Sequence, residues 1–168
     1  MRILGISGSL QRESANRKLL ERARVFLPAD VELVIYDGLR DLPHFDPDLA
    51  AAGPPPAVLA LRQALSSSDA LVVASPEYGH SLPGSLKNAI DWVIGTGELE
   101  QKIVAITAST PAVERGQKGL DALAVTLGAV SARIVGGAPI ARGAASDEHL
   151  RALVNALVRT VRETAPDH

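Results

Sequence analysis

Residues 70–92 read Ala70-Leu71-Val72-Val73-Ala74-Ser75-Pro76-Glu77-Tyr78-Gly79-His80-Ser81-Leu82-Pro83-Gly84-Ser85-Leu86-Lys87-Asn88-Ala89-Ile90-Asp91-Trp92. The first five form a short apolar, β-branched run suited to a parallel strand covered on both faces. The chain then turns on Pro and Gly and opens a helix after Pro83. Ligands of open α/β sheets bind outside the carboxyl ends of such strands. A rigid Pro, an aromatic ring, a permissive Gly and a hydroxyl suit a planar ring held by stacking and by backbone groups. An ordinary strand-to-helix connection, with Pro83 in the helix's first turn, accounts for the same residues, so composition alone leaves both readings open.

Outward from this run the chain alternates strand and helix. Strands are predicted at Ile3–Ile6, Val31–Tyr36, Ala70–Ala74, Ile103–Ile106 and Ser131–Val135. Helices are predicted from about Ala15 to Leu27, over Val58–Leu65, after Pro83, around Leu120–Leu127 and from Ser146 onward. Ser146 is read as the last helix's N-cap, with Asp147 and Glu148 at the positive end of its dipole and Leu150, Leu153, Val154, Leu157, Val158 and Val161 in one stripe. Leu42 to Pro56 reads as irregular, and the prolines at 54–56 as a stiff loop entering a helix. Five β-α units without repeats predict an α/β fold, a doubly wound parallel sheet with helices on both faces, in a single domain over residues 1–168.

Composition removes several function classes. With 168 residues of which 46% are hydrophobic, the chain can bury a real core. Its formal charge is −2, with basic and acidic residues interspersed, so no nucleic-acid or membrane surface is expected as partner. The absence of cysteine excludes disulfides, thiolate nucleophiles and thiolate metal sites. Any redox chemistry would therefore have to be carried by a bound cofactor. No apolar run reaches membrane-spanning length and Met1-Arg2 leads straight into a strand, so a cytoplasmic location is expected.

A second ligand-type segment follows the first strand: Ser7-Gly8-Ser9-Leu10-Gln11-Arg12-Glu13-Ser14-Ala15-Asn16-Arg17. A strand, a glycine, hydroxyls, an amide and a helix N-terminus make a pocket for a phosphate dianion, because loop N–H groups and the helix dipole both favour it. The competing reading makes Ser14 a plain N-cap and Ser9 a turn residue. A P-loop pattern is absent, and Gly5 and Gly8 supply only two of the three glycines of a dinucleotide-binding turn. Asp37, at the end of the second strand, reads either as a ribose ligand or, with Gly38, as a turn.

Taken together, Gly8-Ser9-Leu10 with Ser14 and Asn16, Leu42-Pro43-His44-Phe45-Asp46, Pro76-Glu77-Tyr78 with Ser81, Pro83 and Gly84, and Leu86-Lys87-Asn88-Ala89-Ile90-Asp91-Trp92 resemble the NADPH-dependent FMN reductase family. The resemblance covers nearly the whole chain and implies a flavodoxin-like sheet of order 2-1-3-4-5. It also implies noncovalent FMN, NADPH or NADH as donor, and a quinone-like or other small molecule as electron acceptor; quinone, chromate and azo-dye reductases are among the relatives. Homodimers or homotetramers are common there, and the helix carrying Asp91 and Trp92 is the expected interface. Residues implied at the cofactor are Ser9, Gln11, Arg12, Ser14 and Asn16 around the phosphate, and Pro76, Glu77, Tyr78, Gly79, Ser81 and Ser109 around the ring. Ser109 falls in Thr107-Ala108-Ser109-Thr110-Pro111, which reads as a polar turn after the fourth strand.

This chain departs from the family pattern in three places. Gln11 stands where Arg is usual, which passes phosphate neutralisation to Arg12 or Arg17. Gly79 and His80 follow the tyrosine where Asn is common, and Val113-Glu114-Arg115-Gly116 replaces a pair of glycines. Among other candidates, His80 is either a pocket residue or a solvated loop histidine. His44, His149 and His168 show no metal-ligand spacing, Trp92 reads as core or interface, and Lys87 with Asp91 as a surface pair. No acid, base or nucleophile is expected in the protein itself, since the flavin carries the chemistry. Two other classes fit parts of the pattern: a flavodoxin-type electron carrier or FMN-binding sensor without nucleotide turnover, and a dinucleotide-binding domain using Asp37.

Overall fold

The structure, a computed structural model, describes residues 1–112 and 114–164. Five parallel strands, β1 Arg2–Ser7, β2 Glu32–Tyr36, β3 Ala70–Ala74, β4 Ile103–Thr110 and β5 Arg133–Ala141, form one sheet of order β2-β1-β3-β4-β5. The helices are α1 Ala15–Ala23, α2 Pro47–Ala52, α3 Pro56–Ser66, α4 Gly84–Asp91, α5 Gln117–Ala129 and α6 Ser146–Thr164. Alternation along the central strands decides the layering. Leu4, Ile6, Leu71, Val73, Val104 and Ile106 face one core with α3, α4 and α5. Ile3, Ala70, Val72, Ala74, Ile103 and Ala105 face a second core with α1 and α6. β3 is buried throughout, which explains its uninterrupted apolar sequence.

Several elements differ from the sequence expectations. α1 ends at Ala23 and tightens into a 3₁₀ turn over Arg24–Phe26. Pro83 is the N-cap of α4, one place before its first turn. Ser146 is the first residue of α6, where its hydroxyl donates to the Gly143 carbonyl at 2.7 Å. The stretch before the triple proline contains a 3₁₀ turn, Gly38–Asp41, and α2, whose N-cap Asp46 accepts from the N–H groups of Asp48 and Leu49.

The difference that matters for the site is in β4. Thr107–Thr110, expected as a turn, continues the strand, with Ser109 opposite Ile140 and Thr110 opposite Ala141. β3 stops at Ala74, opposite Thr107. The β4–β5 ladder therefore projects beyond β3 and forms one wall of a recess whose floor is the end of β3.

Candidate cofactor site

The carboxyl ends of β1, β3 and β4 are joined by a short series of hydrogen bonds. The Gly8 N–H donates to Ala74 O at 2.9 Å, and the Ser75 N–H to Thr107 O at 2.8 Å. The Ser85 hydroxyl donates to Gly8 O at 3.3 Å, and the Ser109 N–H to Asn16 Oδ1 at 2.8 Å. Asn16 is buried in the first turn of α1, so its side chain fixes the distance between the first loop and the projecting wall of β4. The three ligand-type segments of the sequence thus form one connected structure.

The first loop has the character of an anion cradle. Ser14 caps α1 and accepts from the Asn16 N–H at 3.2 Å, while Ser9 Oγ accepts from the Gln11 N–H at 3.2 Å. The N-cap reading of Ser14 and the turn reading of Ser9 therefore hold, and the same two hydrogen bonds shape the loop. The N–H groups of Leu10, Arg12, Glu13 and Ala15 donate to no group among the described residues, and the first turn of α1 carries no acidic residue. Unpaired N–H groups at a positive helix end are what a phosphate needs. Beside the loop lies a cleft of about 420 Å³ lined by Ser9, Gln11, Arg12, Arg17, Asp37 and Arg40 among others.

The charges on this cleft are distributed differently from the sequence expectation. Arg17 pairs with both Asp37 and Glu21 and is largely neutralised. Asp37 is also the N-cap of the 3₁₀ turn, so its carboxylate serves Arg17 and its backbone serves the turn, and the ribose-ligand reading loses its free carboxylate. Arg40, which sequence reasoning did not single out, donates from Nη2 to Leu10 O at 2.6 Å. Nothing local in the sequence ties Arg40 to the first loop. Only the pairing of β2 with β1 brings them together.

The second segment forms a tight hairpin. Tyr78 and Ser81 exchange both backbone hydrogen bonds at 3.0 Å, with Gly79 (φ +58°) and His80 (φ +61°) between them. Two successive positive φ values define a turn that glycine and asparagine tolerate best. Gly79 is therefore a conformational equivalent of the family's Asn. Pro76, Glu77 and His80, with Ser109, Thr110 and Pro111 opposite, line a cleft of about 500 Å³. The hydroxyl-bearing Ser109 reaches it from a strand, not from a turn. The Tyr78 side chain stands out to solvent.

Glu77 has a structural partner. Its Oε2 accepts from the Gly119 N–H at 3.1 Å, and Oε1 lies 2.9 Å from His80 Nδ1. α5 begins at the left-handed Gly116, which offers no side-chain cap, so Glu77 caps the helix from another loop. The His80 hydrogen bond first, and then the Gly119 N–H, hold the Glu77 carboxyl below the ordinary glutamate range. A Cβ at Gly119 would sit 3.0 Å from Glu77 Cα and 3.2 Å from the Ser81 carbonyl, so any larger residue there would press on the hairpin. His80, read as either a pocket residue or a solvated loop histidine, lines the cleft and has a carboxylate partner.

The motif over Leu86–Trp92 supports the site without facing it. Asn88 donates to Pro43 O at 2.9 Å and accepts from the Phe45 N–H at 2.7 Å, and Trp92 Nε1 donates to the same carbonyl at 2.8 Å. The Phe45 and Trp92 rings meet edge to face at 5.2 Å. Trp92 is 1% exposed, so it is core and cannot supply a subunit interface. Lys87 and Asp91 form the expected pair at 2.6 Å. Among the described residues no three His, Asp or Glu side chains come together as a metal site, and no helix is long and apolar enough to cross a membrane. His168 and Val113 lie outside the described residues.

The sheet order, with loops at the carboxyl ends of β1, β3 and β4 where such sheets take their ligands, defines a flavodoxin-like fold. The family described as NADPH-dependent FMN reductase matches residues 1–147, and the chain belongs to it. The NAD(P)H-dependent FMN reductase of Pseudomonas aeruginosa is 41% identical over 92 residues, which cover 55% of this chain and 49% of that protein. A quinone reductase of Escherichia coli is 34% identical over 94 residues, covering 55% of this chain and 50% of that one. The chain spans about half the length of these curated relatives. The solved structure of FerB, a flavoenzyme NAD(P)H:(acceptor) oxidoreductase from Paracoccus denitrificans, superposes with a TM-score of 0.79 at 27% identity, covering 96% of this chain and 97% of that one. FMN and NAD(P)H are the ligands that family membership implies.

The site fits that cofactor. Unpaired N–H groups of the first loop suit its phosphate, and the cleft between the hairpin and the projecting end of β4 falls in the size range of small-ligand pockets.

Proposed function

We propose that the chain is an FMN-dependent NAD(P)H oxidoreductase that passes reducing equivalents to a quinone-like or other small acceptor. The observation that carries this reading is the pairing of an anion loop at the end of β1 with a ring-sized cleft between the ends of β3 and β4, fastened together by Asn16 and Ser109. FMN, when bound, would supply the redox chemistry between NAD(P)H and the acceptor. The chain's own part is positional. Ser9, Gln11, Arg12, Ser14 and Asn16 surround the phosphate, with Ser14 and Asn16 as the buried frame. Pro76, Glu77 and Ser109 bound the ring, while Tyr78, Gly79 and Ser81 set the shape of the hairpin against it. The cleft is open to solvent, so a planar donor and a planar acceptor can occupy it in turn.

A homodimer or homotetramer, a cytoplasmic location and a small-molecule acceptor, with neither nucleic acid nor membrane as partner, belong to the same reading. The test is a visible spectrum of protein loaded with FMN, desalted and then treated anaerobically with NADPH. A retained flavin spectrum that bleaches supports the proposal. Retained flavin that bleaches with neither NADPH nor NADH makes the chain a carrier or sensor, and no retained flavin overturns the reading. Initial rates with NADPH and a quinone are expected to give parallel double-reciprocal lines. Light scattering at micromolar concentration reads the oligomeric state.

A further inference from the structure

We infer that Arg40, delivered by the turn after β2, supplies the positive charge that holds the cofactor phosphate at the Ser9–Asn16 loop and makes the site select FMN over riboflavin. The inference rests on the FMN reading above. A phosphomonoester carries between one and two negative charges at neutral pH and is held best by N–H donors backed by a cation. The loop has the donors, and among the described residues its one cation outside any ion pair is Arg12. Gln11 is neutral, Arg17 is committed to Asp37 and Glu21, and Lys18 pairs with Glu13 at 2.7 Å. Arg12 reaches the cleft from the loop, exposed as Arg40 is, but no hydrogen bond among the described residues orients its side chain.

Arg40 is placed differently. Leu39 and Leu42, 5% and 8% exposed, are sunk in the core on either side of it and fix the 3₁₀ turn that carries it. Its Nη2 donates to Leu10 O at 2.6 Å. A carbonyl orients a guanidinium without neutralising it, and four N–H groups remain on the fork. Among the described residues no carboxylate lies within ion-pair distance of Arg40. It lines the same cleft as Ser7, Ser9, Gln11 and Arg12. Asp37 lines that cleft too, with its charge balanced by Arg17. Arg40 is thus anchored to the loop's own backbone and keeps its charge.

The experiment compares Kd values for FMN and riboflavin, read by flavin fluorescence, in the wild-type chain and in Arg40→Ala, Arg40→Lys and Arg12→Ala variants. Riboflavin has the ring and the ribityl chain but no phosphate. The wild type is expected to prefer FMN. Arg40→Ala is expected to weaken FMN by about tenfold or more while moving riboflavin by less than about twofold, the loss appropriate to a charge-assisted contact. Arg40→Lys recovers part of the FMN preference, and Arg12→Ala costs less than Arg40→Ala. Equal weakening of both ligands by Arg40→Ala reduces Arg40 to a brace for the Leu10 carbonyl and overturns the inference, as does no change in either. A wild type that binds both ligands equally removes the phosphate reading of the loop itself, a failure distinct from that of Arg40. Thermal unfolding of each variant without flavin identifies any general loss of fold, and the ratio of the two Kd values is insensitive to it.

Discussion

Pro76–Ser81 and Leu86–Trp92 lie a few residues apart and read as one motif, yet they sit in opposite physical situations. The first is a hairpin whose tyrosine is 56% exposed and whose turn runs through two left-handed residues. The second is a helix whose tryptophan is 1% exposed and whose polar groups latch onto a loop some 45 residues upstream in sequence. One half presents backbone and ring edges to a cleft; the other secures Leu42–Asp46 against the body of the fold. A run of residues that reads as one motif therefore need not be a run of ligand contacts, and one half of it can be scaffold.

The largest expected effect separates the halves by stability. Trp92→Ala removes a fully buried ring and its hydrogen bond to Pro43, and is expected to cost about 3–5 kcal/mol in urea denaturation. Tyr78→Ala is expected to fall within about 0.5 kcal/mol, as exposed substitutions do. A Trp92→Ala variant as stable as Tyr78→Ala would break the comparison. Next comes Asn88→Ala, which unpairs the Phe45 N–H and leaves the Pro43 carbonyl with one donor fewer. The expected cost is about 1–3 kcal/mol for two hydrogen bonds, again by urea denaturation, with limited proteolysis directed to Leu42–Asp46 as a check.

A smaller effect sharpens the reading of the hairpin. Gly79 adopts φ +58° with open space where a Cβ would project. Gly79→Val is expected to cost about 1–2 kcal/mol through backbone strain alone, whereas Gly79→Asn, tolerated in that region, is expected to be close to neutral. Equal costs for Val and Asn in thermal unfolding would show that crowding, not φ, governs the position.

Much of this arrangement was readable beforehand, and the limits have physical causes. β3 is fixed in the sequence because burial on both faces demands an unbroken apolar run, and its boundaries at Ala70 and Ala74 are those observed. β4 read as ending at Ile106 because Thr107, Ser109 and Thr110 look like turn residues. They stay extended because β5 pairs with them and because the Thr107 hydroxyl is satisfied by Ala138 O at 2.9 Å. α2 escaped notice although Asp46-Pro47 is a cap followed by proline at the first helical position, a signal masked by the prolines around it. Arg40 and the Asn88–Pro43 latch carry no local signal, since each depends on which strands become neighbours. The loops after β1 and β3, by contrast, are each contiguous in sequence, so both could be read there as candidate ligand segments.

The finest distinction concerns Glu77, which touches both the hairpin and α5. Its carboxyl titrates below the ordinary value of 4.5, with His80 as the larger cause and the Gly119 N–H as the second. A folded-state value below the unfolded one means that the contribution is fully present above the unfolded value and is lost as pH falls through the folded one. Glu77→Gln keeps an oxygen for the Gly119 N–H and removes only the charge. The melting temperatures of wild type and Glu77→Gln are therefore expected to differ while the carboxyl is ionised and to converge as pH falls below 4.5 through the folded value. A gap that persists unchanged into acid would mean that shape, not charge, caps α5. The hairpin would then be tied to the helix in the same way as the scaffold half of the motif, and the contrast between the two halves would narrow to exposure alone.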